Sequence, residues 1–282
     1  MISGERHGSA RVGNARLGPL AEHPVRLHIE RRGTGTPIVL AHGFGGSARN
    51  FRVQQRALAG VASVVAYDAR GHARSEAPEP AEAYDLERLV DDFERVVEEA
   101  GGPVIAGGVS LGAITALAFA ARHPERVRGL LVASLPGTGE ERVAWALGFA
   151  DAIEREGLDA AGAAYVWGEQ SRFDPAGAKL IRLGIMEHSP RALAHILRRT
   201  LSKMPDARAL ARALEGWKFP FSIVAGADDA LAHAPSRALA AALPQATLVV
   251  IPNAGHVVNL AAPEVFNERL KALLDADRPG GP

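Results

Sequence analysis

The chain of 282 residues is long enough for one large domain or two modest ones, and its 47% hydrophobic content supplies a well-buried core. Its 32 Lys and Arg balance its 32 Asp and Glu, which excludes the electrostatic footprint of a protein for nucleic acid or an anionic membrane and leaves a small molecule as the expected partner. Cysteine is absent, so disulfides, thiolate metal sites and cysteine nucleophiles are excluded as well.

Residues 1–20, rich in Gly, Arg and Ser, and residues 276–282 offer little to pack, and both are expected to be flexible. No apolar stretch has the length of a signal peptide or a membrane span, so the expectation is a soluble, cytoplasmic protein. Val25, Leu27 and Ile29 alternate with polar residues as an edge strand would, and residues 38–41 form an apolar run into a glycine-rich turn. A buried strand at 63–67 ends at Asp68. A helix at 86–100 then lines Leu86, Leu89, Val90, Phe93, Val96 and Val97 along one face. The alternation continues with a strand at 104–109, a helix at 111–122 and a strand at 130–135, which predicts a parallel sheet covered on both faces. From Pro136 to Trp217 the chain turns alanine-rich and helical, and it reads as a helical cap, residues 136–217, inserted into an α/β core of residues 21–135 and 218–275. The strand and helix rhythm resumes with a strand at 221–225, a helix at 235–242, a strand at 247–251 and a last helix at 263–274 opened by a proline.

The segment Gly108-Val109-Ser110-Leu111-Gly112 falls where a predicted strand gives way to a predicted helix. A nucleophile held in a tight, strained turn needs glycine two positions to either side, because neighbouring backbone comes too close for side chains. In a chain with 30 glycines the five-residue pattern alone is weak, and its place at the strand-helix junction is what gives it weight. A serine hydroxyl also needs a base, and the base needs a group that fixes its tautomer. His256 follows the strand at 247–251, and Asp228 and Asp229 follow the strand at 221–225, so the three types stand in the order Ser, Asp, His at predicted strand ends. Acyl transfer places negative charge on the carbonyl oxygen, for which the backbone amides of Leu111, at a helix start, and Phe44, in His42-Gly43-Phe44-Gly45-Gly46, are the expected donors.

With these residues the chain resembles the α/β-hydrolase superfamily, and within it the capped, cofactor-free esterases, lactonases, perhydrolases and carbon-carbon bond hydrolases. The likeness covers residues 25–275 and includes Asp68-Ala69-Arg70-Gly71-His72-Ala73-Arg74-Ser75 and His123-Pro124-Glu125-Arg126-Val127. It implies a mostly parallel eight-stranded sheet flanked by helices with an inserted helical cap, and no cofactor or metal. By the family's spacing the acid is Asp229 rather than Asp228, and Asp68, Arg70 and His72 are architectural. The serine separates the chain from the dehalogenase and epoxide hydrolase relatives, which are built around an aspartate. The chain departs from the family at Val109, Ala113 and Ala73, where polar residues or glycines are common. The expected activity is hydrolysis of an ester, lactone, thioester or activated carbonyl of a small, largely apolar molecule through Ser110, His256 and Asp229. The same side chains in this fold also serve lyases, cyclases and perhydrolases of secondary metabolism, and some relatives only bind ligands. Trp145, Phe149, Tyr165, Trp167, Phe173 and Met186 in the cap fit packing better than substrate contact, so no residue is assigned to the substrate, and His188 and His195 are left out of the site. The sequence assigns no oligomeric state.

Overall fold

In the computed structural model, which describes residues 24–169, 171 and 173–277, the apolar runs form one seven-stranded sheet in the order β1-β3-β2-β4-β5-β6-β7. The strands are β1 (His28–Arg32), β2 (Pro37–Ala41), β3 (Ser63–Asp68), β4 (Val104–Val109), β5 (Val127–Ala133), β6 (Phe221–Gly226) and β7 (Ala246–Ile251). Only β1 runs antiparallel to its neighbour. The helices, in chain order, are α1 (Arg52–Leu58), α2 (Leu86–Ala100), α3 (Leu111–Arg122), α4 (Gly139–Glu156), α5 (Leu158–Gly162), α6 (Pro175–Ile185), α7 (Pro190–Ile196), α8 (Ala207–Ala211), α9 (Ala230–Ala242), α10 (Val258–Ala261) and α11 (Pro263–Ala276).

The central strands carry apolar residues at nearly every position because helices cover both faces. Their side chains alternate between two cores. Val39, Val65, Ala106 and Val132 face Phe93 of α2, Phe119 of α3 and Leu239 of α9, whereas Ile38, Val64, Ile105 and Leu131 face Leu58 of α1 and Phe266 and Leu270 of α11. Fully burying a side chain of this size contributes about 1.5–3 kcal/mol. Helices α4 to α8 lie between β5 and β6 in sequence, and α4 and α6 face Ser110, at the C-terminal end of β4, across a cavity. Among the described residues no helix is long and apolar enough to cross a membrane.

Several boundaries differ from the sequence expectation. The edge strand starts at His28 rather than near Val25, because its ladder partner β3 ends at Asp68; Arg26 and His28 are tied instead to Glu76 and to Ser75 Oγ. The fifth strand spans Val127–Ala133 rather than 130–135, since Val127 pairs with Val104 and Ser134 turns out of the sheet at φ 49°. Helix α9 begins at Ala230, so Pro235 sits inside it. Helix α1 was not expected: it buries Gln54 and Gln55, hydrogen-bonded to the Asn259 and Glu30 carbonyls, and so shows no apolar period. An eighth strand is not among the described residues. The segment at 1–20 lies outside the described residues, as does the tail beyond Asp277, while Ala276 closes α11.

Candidate active site

Ser110 stands alone between the last residue of β4 and the first of α3, at φ 55° and ψ −116°. A non-glycine residue there carries strain of about 1–3 kcal/mol, sustained only where the surroundings impose it. Its N–H donates to the Ala133 carbonyl at 2.9 Å, and its own carbonyl accepts from Ala113 and Ile114 at 3.0 and 3.2 Å. A Cβ on Gly112 would lie 2.0 Å from the Ala41 carbonyl oxygen, and one on Gly108 would lie 2.4 Å from the Gly112 backbone. The two glycines thus let α3 start against the end of β2 and turn the serine outward. Among the described residues the Ser110 hydroxyl has no hydrogen-bond partner, and it opens into a cavity.

Beside it lies the loop after β2. A Cβ on Gly43 would come 3.3 Å from Ser110 Cβ, so this loop presses on the serine. The Gly45 amide donates to His72 Nε2 at 3.2 Å and the Gly46 amide to the Gly43 carbonyl at 3.0 Å. The amides of Phe44 and of Leu111, the first residue of α3, have no acceptor among the described residues. Phe44 lines the cavity, whereas the Leu111 side chain is buried away from it.

The loops after β6 and β7 are joined through backbone bonds from Ala227 to the Ile251 carbonyl (2.8 Å) and from Asp228 to the Ala254 carbonyl (2.9 Å). A Cβ on Gly226 would sit 2.1 Å from the Ala254 carbonyl oxygen, so the close approach requires glycine. This contact brings Asp229 to His256: Oδ2 lies 2.9 Å from Nδ1, with both residues buried. An imidazole donating Nδ1–H to the carboxylate leaves Nε2 as its acceptor. Asp228, the alternative acid, points to solvent. His256 lines the same cavity as Ser110. One carboxylate was not anticipated: Asp174, at the start of α6, accepts the His256 backbone N–H at 2.8 Å.

The cavity encloses about 1240 Å³ including its open mouth, ample for a small molecule. Its floor is Ser110, His256 and the Gly43–Gly46 loop; its roof is largely apolar, with Trp145, Phe173, Ile181 and Leu201, and Arg142 stands in one wall. Of the aromatic residues and methionine named between β5 and β6, Trp145 and Phe173 line the cavity, while Phe149 stacks on Tyr165 at 5.2 Å, Trp167 lies beneath Arg182 and Met186 is exposed. Among the described residues no group of three or more His, Cys, Asp or Glu side chains is placed to hold a metal ion.

Beneath the loop after β2, the rings of His42, His72 and His188 pack edge to face, with centroids 4.8 and 5.0 Å apart. Each accepts a backbone N–H: His42 from Ala69 (2.9 Å), His72 from Gly45 (3.2 Å) and His188 from Ala73 (2.7 Å). Each ring therefore needs its lone pair, and burial pushes His42 down to about 4 and lowers His72 and His188 too. Asp68 binds the Ala48 amide and Arg74, and Arg70 grips Asp92 through two bonds of 2.6 and 2.8 Å, so this stretch braces the site from below. His195 packs on Tyr84, away from the cavity.

Comparison with known proteins agrees with the fold. A sequence model of the alpha/beta hydrolase family matches residues 38–269. The chain is 26% identical over 273 residues to 2-(acetamidomethylene)succinate hydrolase of Mesorhizobium japonicum, covering 89% of this chain and 92% of the relative. Among solved structures, a thermophilic esterase from Thermogutta terrifontis superposes with a TM-score of 0.79 at 25% identity, covering 90% of this chain and 95% of that one. The enol-lactonase of Burkholderia xenovorans gives 0.75 at 25% identity, covering 89% and 96%.

Proposed function

The chain belongs to the alpha/beta hydrolase family, an enzyme family, and from that premise we propose that it is a serine hydrolase opening an ester, lactone, thioester or comparably activated carbonyl of a small, largely apolar molecule. The observation that carries this reading is the 2.9 Å bond to Asp229 from His256, which shares the floor of the cavity with the strained Ser110.

In the proposed reaction the substrate enters beneath the helices α4 to α8, which act as a cap, and its carbonyl carbon meets Ser110 Oγ. His256 Nε2 takes the hydroxyl proton as the new C–O bond forms, and Asp229 holds the ring in the tautomer that leaves Nε2 free and stabilises the imidazolium. The carbonyl π pair moves to oxygen, which the amides of Phe44 and Leu111 receive; the start of α3 adds its dipole. Collapse of the intermediate expels the alkoxide or thiolate, protonated by His256. Water, deprotonated by the same nitrogen, then attacks the acyl carbon and releases the acid and Ser110. The apolar roof favours an acyl or alcohol portion with little polarity, and the names of the relatives, an esterase and an enol-lactonase, describe carbonyl–oxygen bonds of the kind proposed.

Ser110→Ala removes the attacking atom with little change in packing. Its kcat on p-nitrophenyl acetate is expected to fall by at least about 10³-fold, with an unchanged circular dichroism spectrum, and labelling by a fluorophosphonate should disappear. Turnover at the wild-type rate in that variant overturns the proposal.

A further inference from the structure

We infer that Asp174 is a positioning residue for His256, reaching from the helical insertion to hold the loop that carries the proposed base. The inference rests on the reading of Ser110, His256 and Asp229 as the catalytic set. Asp174 opens α6 at φ −60° and ψ 148°, and one carboxylate oxygen, Oδ1, accepts the Gly177 N–H at 2.7 Å as an ordinary helix cap. That role needs only one oxygen. The second, Oδ2, accepts the backbone N–H of His256 at 2.8 Å, across 82 positions of sequence.

Two further contacts mark the join as close-fitting. A Cβ on Gly255 would lie 1.9 Å from Asp174 Oδ2 and 2.0 Å from its Cγ, so the carboxylate rests directly on the backbone beside the base. The adjacent Phe173 ring meets the His256 imidazole edge to face, with centroids 5.0 Å apart. His256 is thereby held at two points from two parts of the chain: its ring nitrogen by Asp229 at the end of β6, and its main chain by Asp174 of the insertion. A ring fixed at Nδ1 alone can still swing with its loop, and an ångström of displacement at a reacting atom can cost on the order of 100-fold in rate. The consequence is that the insertion does more than roof the cavity.

Asp174→Ser separates the two duties, because serine caps a helix about as well as aspartate but has one oxygen on a shorter side chain that does not reach His256. With p-nitrophenyl acetate as substrate, the expected result is a kcat about tenfold or more below wild type, with KM changed less than about threefold and Tm within about 2 °C. Asp174→Ala should show the same loss of kcat with a lower Tm. Gly255→Ala, whose Cβ displaces the carboxylate, should lose kcat comparably, and the double variant Asp174→Ser/Gly255→Ala should be no slower than the slower single variant. Wild-type kcat in Asp174→Ser, a change confined to KM, or losses that multiply in the double variant overturn the inference. Ser110→Ala run alongside keeps the two readings apart. An inactive Ser110→Ala beside a fully active Asp174→Ser removes the role of Asp174 and leaves the triad; an active Ser110→Ala removes both.

Discussion

Asp228 and Asp229 follow the same strand end, and their geometry assigns them opposite parts. The Asp229 carboxylate is buried 2.9 Å from His256 Nδ1, and Asp228 points to solvent while its amide joins the two loops. Asp229→Asn presents an amide that can stabilise the wrong tautomer, so kcat is expected to fall by about 10²–10⁴, whereas Asp228→Asn should stay within about twofold; steady-state kinetics on p-nitrophenyl acetate check both. Ala73 tests the sequence departure at its position. It sits at φ 43°, where glycine is at ease and alanine is not. Ala73→Gly is expected to stabilise the fold by up to about 1 kcal/mol, raising Tm by about 2–3 °C by calorimetry. Ser110, His256 and the pair Asp228 and Asp229 were legible as candidates in the sequence because each follows a recognisable strand end, and the choice of Asp229 within the pair came from the family resemblance and not from the strand end. Asp174 was not, since an aspartate before a helix proline is an ordinary cap and nothing in its spacing names a partner 82 residues away.

At the scale of elements, legibility followed burial pattern. Helix α2 could be read to its last residue because its apolar face is continuous, and β4 because all six of its residues are buried. Helix α1 was hidden by its buried glutamines, whose partners are carbonyls distant in sequence. The start of α9 was hidden by Pro235, which ordinarily opens a helix; here packing in the core around Ala232 and Leu239 outweighs the missing N–H. The junction of β4 and α3 depends most on glycine. Gly112→Ala places a Cβ 2.0 Å from the carbonyl oxygen of Ala41, backbone against backbone, with no side chain to yield. Its expected cost is above about 3 kcal/mol, enough to leave little folded protein. Gly60→Ala, with nothing within 4 Å and no left-handed backbone, should shift the urea midpoint little. Equal midpoints for the two variants would refute the close approach.

For the molecule as a whole, the buried histidine stack sets a direction of pH dependence. His42, His72 and His188 each accept a main-chain N–H in the folded state, so protonating any one breaks a buried bond. Burial is the first cause of all three lowered values, with His42 at about 4. The unfolded chain takes up these protons near pH 6.5 and the folded chain only at lower pH, so the unfolded state binds more protons in between, and stability falls as pH drops from about 6.5 toward 4. For His42 alone the loss at pH 5 is about 2 kcal/mol. Glu30 acts in another range: bonded to Arg52 and Arg74, its carboxyl is held at about 2, and its contribution is present above pH 4.5 and lost only below that. Asp92, raised by burial against the pull of Arg70, works in the opposite sense on one proton, against three from the histidines. Urea unfolding at pH 7 and pH 5 should therefore give a clearly lower midpoint at pH 5. His72→Gln keeps an acceptor near the Nε2 position for the Gly45 amide but cannot titrate, and it should reduce the pH dependence by about one proton. A midpoint flat between pH 7 and 5, or a slope unchanged in His72→Gln, would show that the stack does not govern acid stability.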